Sequence, residues 1–298
     1  MIRIEVPATT ANIGPCFDTC GIALNIYNSF SFEYADTLLI EGCDEAYANE
    51  NNLVFTSYKH VFDYLKLPLR NVHIIIQANV PVSRGLGSSS TCIIGGVLGA
   101  NALLDYPLSK DEIFMLCTEI EGHPDNIAPA LFGGLTASLM TDGKPYNVNY
   151  DINKDFKFCA CIPNFELKTS LARSVLPKEV TYHDAIYNVS RAAVSLKCWE
   201  TKDYELLSIA LDDTLHQPYR SKLIDEYDEI MELSKKAGAI ASFISGAGPT
   251  IMTIYDNDDY VDTLKSFVKD LHNTWTIMPL KVELNGALER NGVRYNGR

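Results

Sequence analysis

The sequence predicts an α+β protein of two domains, on three observations. Its 298 residues are long for a single hydrophobic core. Apolar alternation of period two and apolar spacing of helical period occur in separate segments. Around residues 140–155 the chain turns polar, through Thr141-Asp142-Gly143-Lys144-Pro145 and then Asp151 to Asp155. A boundary near 153 divides it into residues 1–153 and 154–298.

The elements follow in order. Met1 to Val6 alternates as a first strand, and Cys20 to Glu33 returns to that pattern with Tyr27 and Phe30. Between them, Pro7 to Asp18 reads as a polar loop punctuated by Gly14 and Pro15. Val54, Tyr58, Val61 and Leu65 share one face of a helix that Asn52 can cap. Val72 to Ala78, rich in β-branched residues, is a strand leading into a break at Pro81. Cys92 to Leu104 is an almost uninterrupted apolar run, long enough for a buried helix. Ser109 caps the next helix, Glu112 completes a capping box, and Gly122 suits its C-terminus. In the second half, Phe156 to Pro163 is a strand of buried type and Asp184 to Trp199 a helix. Ser242 to Thr250 is a glycine-rich loop between two strands.

Composition narrows the function. Hydrophobic residues make up 47% and charged residues 21%, which suits a globular enzyme. A net charge of −13 argues against nucleic acid and against anionic membrane surfaces as partners. An anionic cofactor then needs a locally positive or metal-bearing site. The 8 cysteines include no paired Cys-x-x-Cys frame; Cys16 and Cys20 have no His or Cys partner nearby, and Cys159 and Cys161 alternate in a strand. The N-terminus has no signal-peptide core and no apolar run approaches a membrane span, so a cytoplasmic protein with reduced thiols is expected.

The stretch carrying the chemistry is Pro81-Val82-Ser83-Arg84-Gly85-Leu86-Gly87-Ser88-Ser89-Ser90. A strand, a glycine-and-serine loop and a helix N-terminus together make an anion site. Gly85 and Gly87 let backbone approach a ligand, the first-turn N–H groups are unsatisfied, and the hydroxyls of Ser88, Ser89 and Ser90 can donate to phosphate or ligate a metal. The bland account is a Ser-capped buried helix after a tight turn. No lysine follows Gly87, so this is not a Walker loop, and the third glycine of a dinucleotide fingerprint is absent.

The run resembles the Pro-x-x-x-Gly-Leu-Gly-Ser-Ser-Ser/Ala motif of the GHMP small-molecule kinases, named for galactokinase and the homoserine, mevalonate and phosphomevalonate kinases. Four further runs resemble the homoserine kinases among them, and a fifth resembles the third motif of the superfamily. The first is Pro7-Ala8-Thr9-Thr10-Ala11-Asn12-Ile13-Gly14-Pro15-Cys16-Phe17-Asp18, where Cys16 stands in place of the usual Gly. Glu121-Gly122-His123-Pro124-Asp125-Asn126-Ile127-Ala128-Pro129-Ala130 is similar to their Glu-Gly-His-Pro-Asp-Asn signature over nearly its full length. Leu167 to Pro177, His216 to Arg220 and the loop bearing Gly246 and Gly248 match later segments.

The resemblance implies a ribosomal-protein-S5-like first domain, a ferredoxin-like second domain with helices on one face of its sheet, and ATP in the cleft between them. It implies transfer of the γ-phosphoryl of ATP to the side-chain hydroxyl of L-homoserine, in threonine biosynthesis, by a homodimer. Asn52 would lie beside the base; Pro81, Arg84, Gly85, Leu86, Gly87, Ser88, Ser89, Ser90, Gly246 and Gly248 would hold the nucleotide. Ser89 and a glutamate at the end of the preceding helix would hold Mg²⁺, with Glu121 first choice and Glu119 second. An α-carboxylate calls for arginine, assigned to Arg173 and Arg220. Asp18 would take the ammonium, with Asn12, His123 and Asp125 beside the hydroxyl. Asn126 occupies the place of the aspartate that sugar and mevalonate members use, and homoserine kinases work without a dedicated base. Alternatives are another small alcohol as acceptor (mevalonate-like or sugar-like), or a non-catalytic nucleotide-binding protein on the same fold.

Overall fold

A computed structural model describes residues 1–289; residues 290–298 of the expected second domain lie outside it. The first half contains β1 (Ile2–Ala11), β2 (Cys20–Tyr34), β3 (Leu39–Glu41), α1 (Leu53–Leu65), β4 (Val72–Gln77), α2 (Ser88–Leu103), α3 (Lys110–Glu121), α4 (Ile127–Phe132), β5 (Leu135–Thr141) and β6 (Lys144–Tyr150). The second contains β7 (Lys157–Pro163), α5 (Thr169–Ser174), α6 (Tyr182–Thr201), α7 (Tyr204–Ala210), α8 (Gln217–Arg220), α9 (Tyr227–Ala237), β8 (Ala241–Ile244), β9 (Ile251–Tyr255), α10 (Tyr260–Phe267), β10 (Trp275–Lys281) and β11 (Leu288–Glu289). Two sheets with helices packed on them make the expected two-domain α+β fold.

The first sheet runs β11-β1-β2-β4-β3, with β5 also on β2 and β6 on β5. Its strands pair antiparallel except β3 with β4. The first strand is longer than its alternation predicts. A register shift at Pro7/Ala8 lets β1 continue to Ala11, so half of the expected loop is sheet. After β10 of the second sheet the chain returns to the first, where β11 pairs with β1.

Helix α2 is apolar on all sides because it is enclosed on all sides. A Cβ at Gly95 would fall 2.4 Å from the Phe30 ring, one at Gly99 2.4 Å from Phe32, and one at Gly96 2.2 Å from the Val54 carbonyl. The glycines therefore seat α2 against β2 on one side and α1 on the other. Helix α3 has the anticipated capping box, Ser109 with Glu112, and ends on Gly122 at φ 89°.

The second sheet is antiparallel in the order β10-β7-β9-β8, the ferredoxin-like arrangement. Here one expectation is corrected: both faces carry helices. Cys159 and Cys161 of β7 face the core with Ile230 of α9 and Leu264 of α10. Phe158 and Ala160 face the other way, with Trp199 of α6, Leu207 of α7 and Ile22 of β2. A strand buried on both faces shows no alternation, and β7 has none.

Candidate active site

The loop between β4 and α2 is shaped by what presses on it. Gly85 and Gly87 have φ of 73° and 70°, in the left-handed region. A Cβ on Gly85 would lie 2.2 Å from the Ser245 carbonyl oxygen, and one on Gly87 2.1 Å from Thr9 Oγ1. Only glycine fits both the backbone and the space. The loop turns directly into α2 with no side-chain cap, which leaves first-turn N–H groups for an anion. Ser245 Oγ donates to the Gly85 carbonyl at 2.7 Å and contacts Thr10 Oγ1 at 2.8 Å, so the second glycine loop and β1 clamp the first from behind.

Ahead of that N-terminus stands a carboxylate. Ser89 Oγ donates to Glu121 Oε2 at 2.8 Å and Ser90 Oγ to Oε1 at 2.9 Å. Glu119, the second choice, points elsewhere: it lies 3.5 Å from His60 and is 63% exposed. A carboxylate and hydroxyls are oxygen donors of the kind Mg²⁺ prefers, and one or two protein ligands suffice when phosphates and water complete its shell. Among the described residues no cluster of three or more His, Cys, Asp or Glu could hold a metal alone.

A cavity of about 570 Å³ extends from this loop to the matched segments of the second half. Its acceptor end brings together Asn12, Asp18, His123, Asp125, Arg173 and Arg220, with Asn126 next to Gly87. Asp18 and Arg173 face each other in a two-bonded pair, 2.8 and 2.9 Å. The two side chains meet any ligand as one charged unit. That hydrogen bond raises the Arg173 pKa above its ordinary value. Arg220 is buried and donates to the carbonyls of Ala172 and Gly246. Burial, and then the like charge of Arg173, lowers its pKa to about 10. Asn12 Nδ2 donates to the same Gly246 carbonyl at 2.7 Å.

His123 Nδ1 lies 2.5 Å from Asp125 Oδ1, and Asp125 is buried. Burial pulls the His123 pKa down, but the hydrogen bond and charge of Asp125, with Glu121 behind, outweigh it and the net shift is upward. Thr9 Oγ1 donates to Asn126 Oδ1 at 2.7 Å, which fixes the amide beside the phosphate loop.

Several candidate residues also make bonds within the protein. Asn52 accepts from Val54 N as the cap of α1 and donates to the Tyr47 carbonyl, so its amide lines the cavity already engaged. The Arg84 guanidinium turns to the carbonyls of Pro163, Val82 and Asn164, tying the loop to the end of β7. Leu86 is buried core, and its carbonyl accepts from Thr9 N. Pro81, Ser90 and Gly248 are not among the residues that line the cavity, although Ser90 bonds to Glu121, which does. Thr9 and Ser245 carried no signal of their own, since a lone hydroxyl in a strand or loop reads as ordinary polarity.

A nucleotide-sized cleft between two α+β units, with a glycine-serine loop at a helix N-terminus, defines the class of small-molecule kinases. Models of the GHMP kinases N terminal domain and the GHMP kinases C terminal domain match residues 52–134 and 192–273. A homoserine kinase of Clostridium beijerinckii is 46% identical over 298 residues, covering 99% of this chain and all of that protein. One of Clostridium botulinum is 42% identical over 294 residues, covering 98% of this chain and 99% of its own. The chain belongs to the homoserine kinase family of the GHMP kinases. Solved structures agree on the fold: a homoserine kinase from Cytophaga hutchinsonii superposes with a TM-score of 0.87 at 24% identity, covering 97% of this chain and 96% of that one. The Methanococcus jannaschii mevalonate kinase does so with a TM-score of 0.73 at 16% identity, covering 94% and 98%.

Proposed function

We propose that the protein transfers the γ-phosphoryl group of ATP to the side-chain hydroxyl of L-homoserine, a step of threonine biosynthesis. The observation that carries this reading is a single cavity with a phosphate-type loop at one end and two arginines at the other. An amino-acid alcohol needs both, one for the donor and one for its α-carboxylate.

The N–H groups at the start of α2 and the hydroxyls of Ser88 and Ser89 hold the phosphates. Mg²⁺ would be held by Ser89 and Glu121, and it would neutralise charge on the β- and γ-phosphate oxygens. Arg220 and Arg173 take the carboxylate, and Asp18, already against Arg173, takes the ammonium at its rim. His123 and Asn126 flank the place of the acceptor hydroxyl. No free carboxylate base stands there: Asp125 is engaged by His123, and the raised pKa of His123 favours its protonated form. Alignment of the hydroxyl therefore supplies most of the rate, as a loose phosphoryl-transfer transition state allows. Residues 1–153 are assigned as the nucleotide domain and 154–298 as the second. A cytoplasmic setting accords with the free cysteines, Cys16 among them. Homodimerisation follows from the resemblance alone, and light scattering tests it.

The test of function is ADP release with ATP and Mg²⁺ against L-homoserine, mevalonate, galactose and shikimate. Turnover with homoserine alone is expected. Turnover with another alcohol would discard the acceptor pocket, and ATP binding without turnover would favour the non-catalytic alternative.

A further inference from the structure

We propose that Phe17, seated on His216, is a positioning residue that sets the arginine pair for the acceptor's carboxylate; this rests on the reading of Arg173 and Arg220 just given. Two cations placed side by side repel. Asp18 already occupies the Arg173 fork and offsets part of that repulsion, and Arg220 gives Nε and one Nη to carbonyls, so a further holding group must leave the remaining N–H donors to the substrate. An aromatic face attracts cations through its quadrupole and accepts no N–H bond from the fork.

Phe17 has that placement. The guanidinium carbon of Arg220 lies 4.9 Å from its ring centroid and that of Arg173 5.9 Å. The ring is stacked on the His216 imidazole, with centroids 5.2 Å apart and planes inclined by 23°. His216 is fully buried, and its Nε2 donates to the Gly14 carbonyl at 2.8 Å. Its backbone N–H donates to Asp213, which also accepts from the N–H groups of Leu215 and Gln217 and from Asn188 Nδ2. The imidazole is thus fixed from below and grips the loop that carries Phe17. Burial lowers the His216 pKa and keeps the ring neutral, and its Nδ1 has no partner. A buried ring nitrogen without a partner costs stability, so an apolar side chain would pack here more cheaply. What the imidazole adds is the Gly14 bond together with a flat face under Phe17.

The test is steady-state kinetics on Phe17→Leu, Phe17→Tyr, His216→Gln and, as a control on the underlying reading, Arg173→Ala. Phe17→Leu should raise the homoserine KM about tenfold, roughly 1.4 kcal/mol, with kcat and the ATP KM within about twofold. Phe17→Tyr keeps the aromatic face and should restore the wild-type KM. His216→Gln should raise the homoserine KM with an unchanged ATP KM. If Arg173→Ala raises the homoserine KM while Phe17→Leu does not, the positioning role is wrong and the carboxylate reading stands. If Arg173→Ala leaves it unchanged, both fall. Equal losses in kcat and the ATP KM for Phe17→Leu would mark a general loop support and overturn the proposal.

Discussion

A single methyl group at Gly87 strikes the joint between the phosphate loop and β1, and its cost can be divided into two parts. Gly87 has φ 70°, so alanine there adopts a left-handed backbone at roughly 1–2 kcal/mol. The new Cβ would also lie 2.1 Å from Thr9 Oγ1, closer than any real contact. Thr9 must rotate away, and its 2.7 Å bond to Asn126 breaks, at about 1 kcal/mol. Gly87→Ala should therefore cost about 2–3 kcal/mol in denaturant unfolding. It should also lower kcat by up to about tenfold, because Asn126 loses its anchor.

Thr9→Ala alone removes the same anchor and should show the same kcat loss. In the double variant the clash has no partner, so the second substitution costs only its backbone part. The two substitutions should thus be coupled by about 1 kcal/mol, in stability and in kcat, with the double variant better than the sum. Additivity within about 0.5 kcal/mol in both readouts would refute the argument.

Glu121→Gln keeps the shape against Ser89 and Ser90 but removes the charge; kcat should fall roughly 100-fold and the Mg²⁺ requirement rise, read by titrating the metal at saturating ATP. Asp125→Asn should lose less than about 100-fold in kcat, below what removal of a general base usually costs; complete loss with unchanged homoserine binding would restore a catalytic base. His123 has a folded pKa raised above its ordinary 6.5, so its charge stabilises the fold at pH values below that and the contribution is lost as pH rises through the folded pKa. Comparing melting temperatures, His123→Asn should be destabilising at about pH 5.5 and nearly neutral at about pH 9; the opposite pH dependence would mean that His123 is buried neutral.

Local chemistry was legible in the chain. The capping box at Ser109 and the span of α1 follow from side chains three or four residues apart, and the structure keeps both. The motif runs located most of the cavity wall. What stayed hidden depends on segments far apart in sequence. Asp18 meets Arg173 across 155 positions, so each read as a separate ligand for substrate when they form a pair. Arg84 was placed with the nucleotide because its motif lies on the loop, and its bonds to carbonyls at the end of β7 could not be read from that motif. Helices on both faces of the second sheet were foreshadowed only by the lack of alternation in Phe158 to Pro163, a pattern that also fits burial under a neighbouring domain.

In the proposed reading, the distribution of charge lets a chain of net charge −13 take an anionic nucleotide and a zwitterionic acceptor. No lysine lines the cavity among the described residues, and Arg84 is spent on backbone carbonyls. In the proposed reading the phosphate end uses helix N–H groups, hydroxyls and a cation at Glu121, beside the bound-up Arg84, and all of these would serve any nucleoside triphosphate. Two further fixed positive charges lie at the acceptor end, where burial has already lowered the pKa of Arg220. A neutral sugar would add no counterion to that desolvated charge, whose pKa stays lowered despite Asp18, Asp125 and Asp213 nearby, and hydrogen bonds to hydroxyls do not repay that. A simple carboxylate would meet the arginines but leave Asp18 with only its existing partner. The zwitterion of an amino-acid alcohol answers both, and the discrimination follows from where the arginines sit more than from the shape of the cavity.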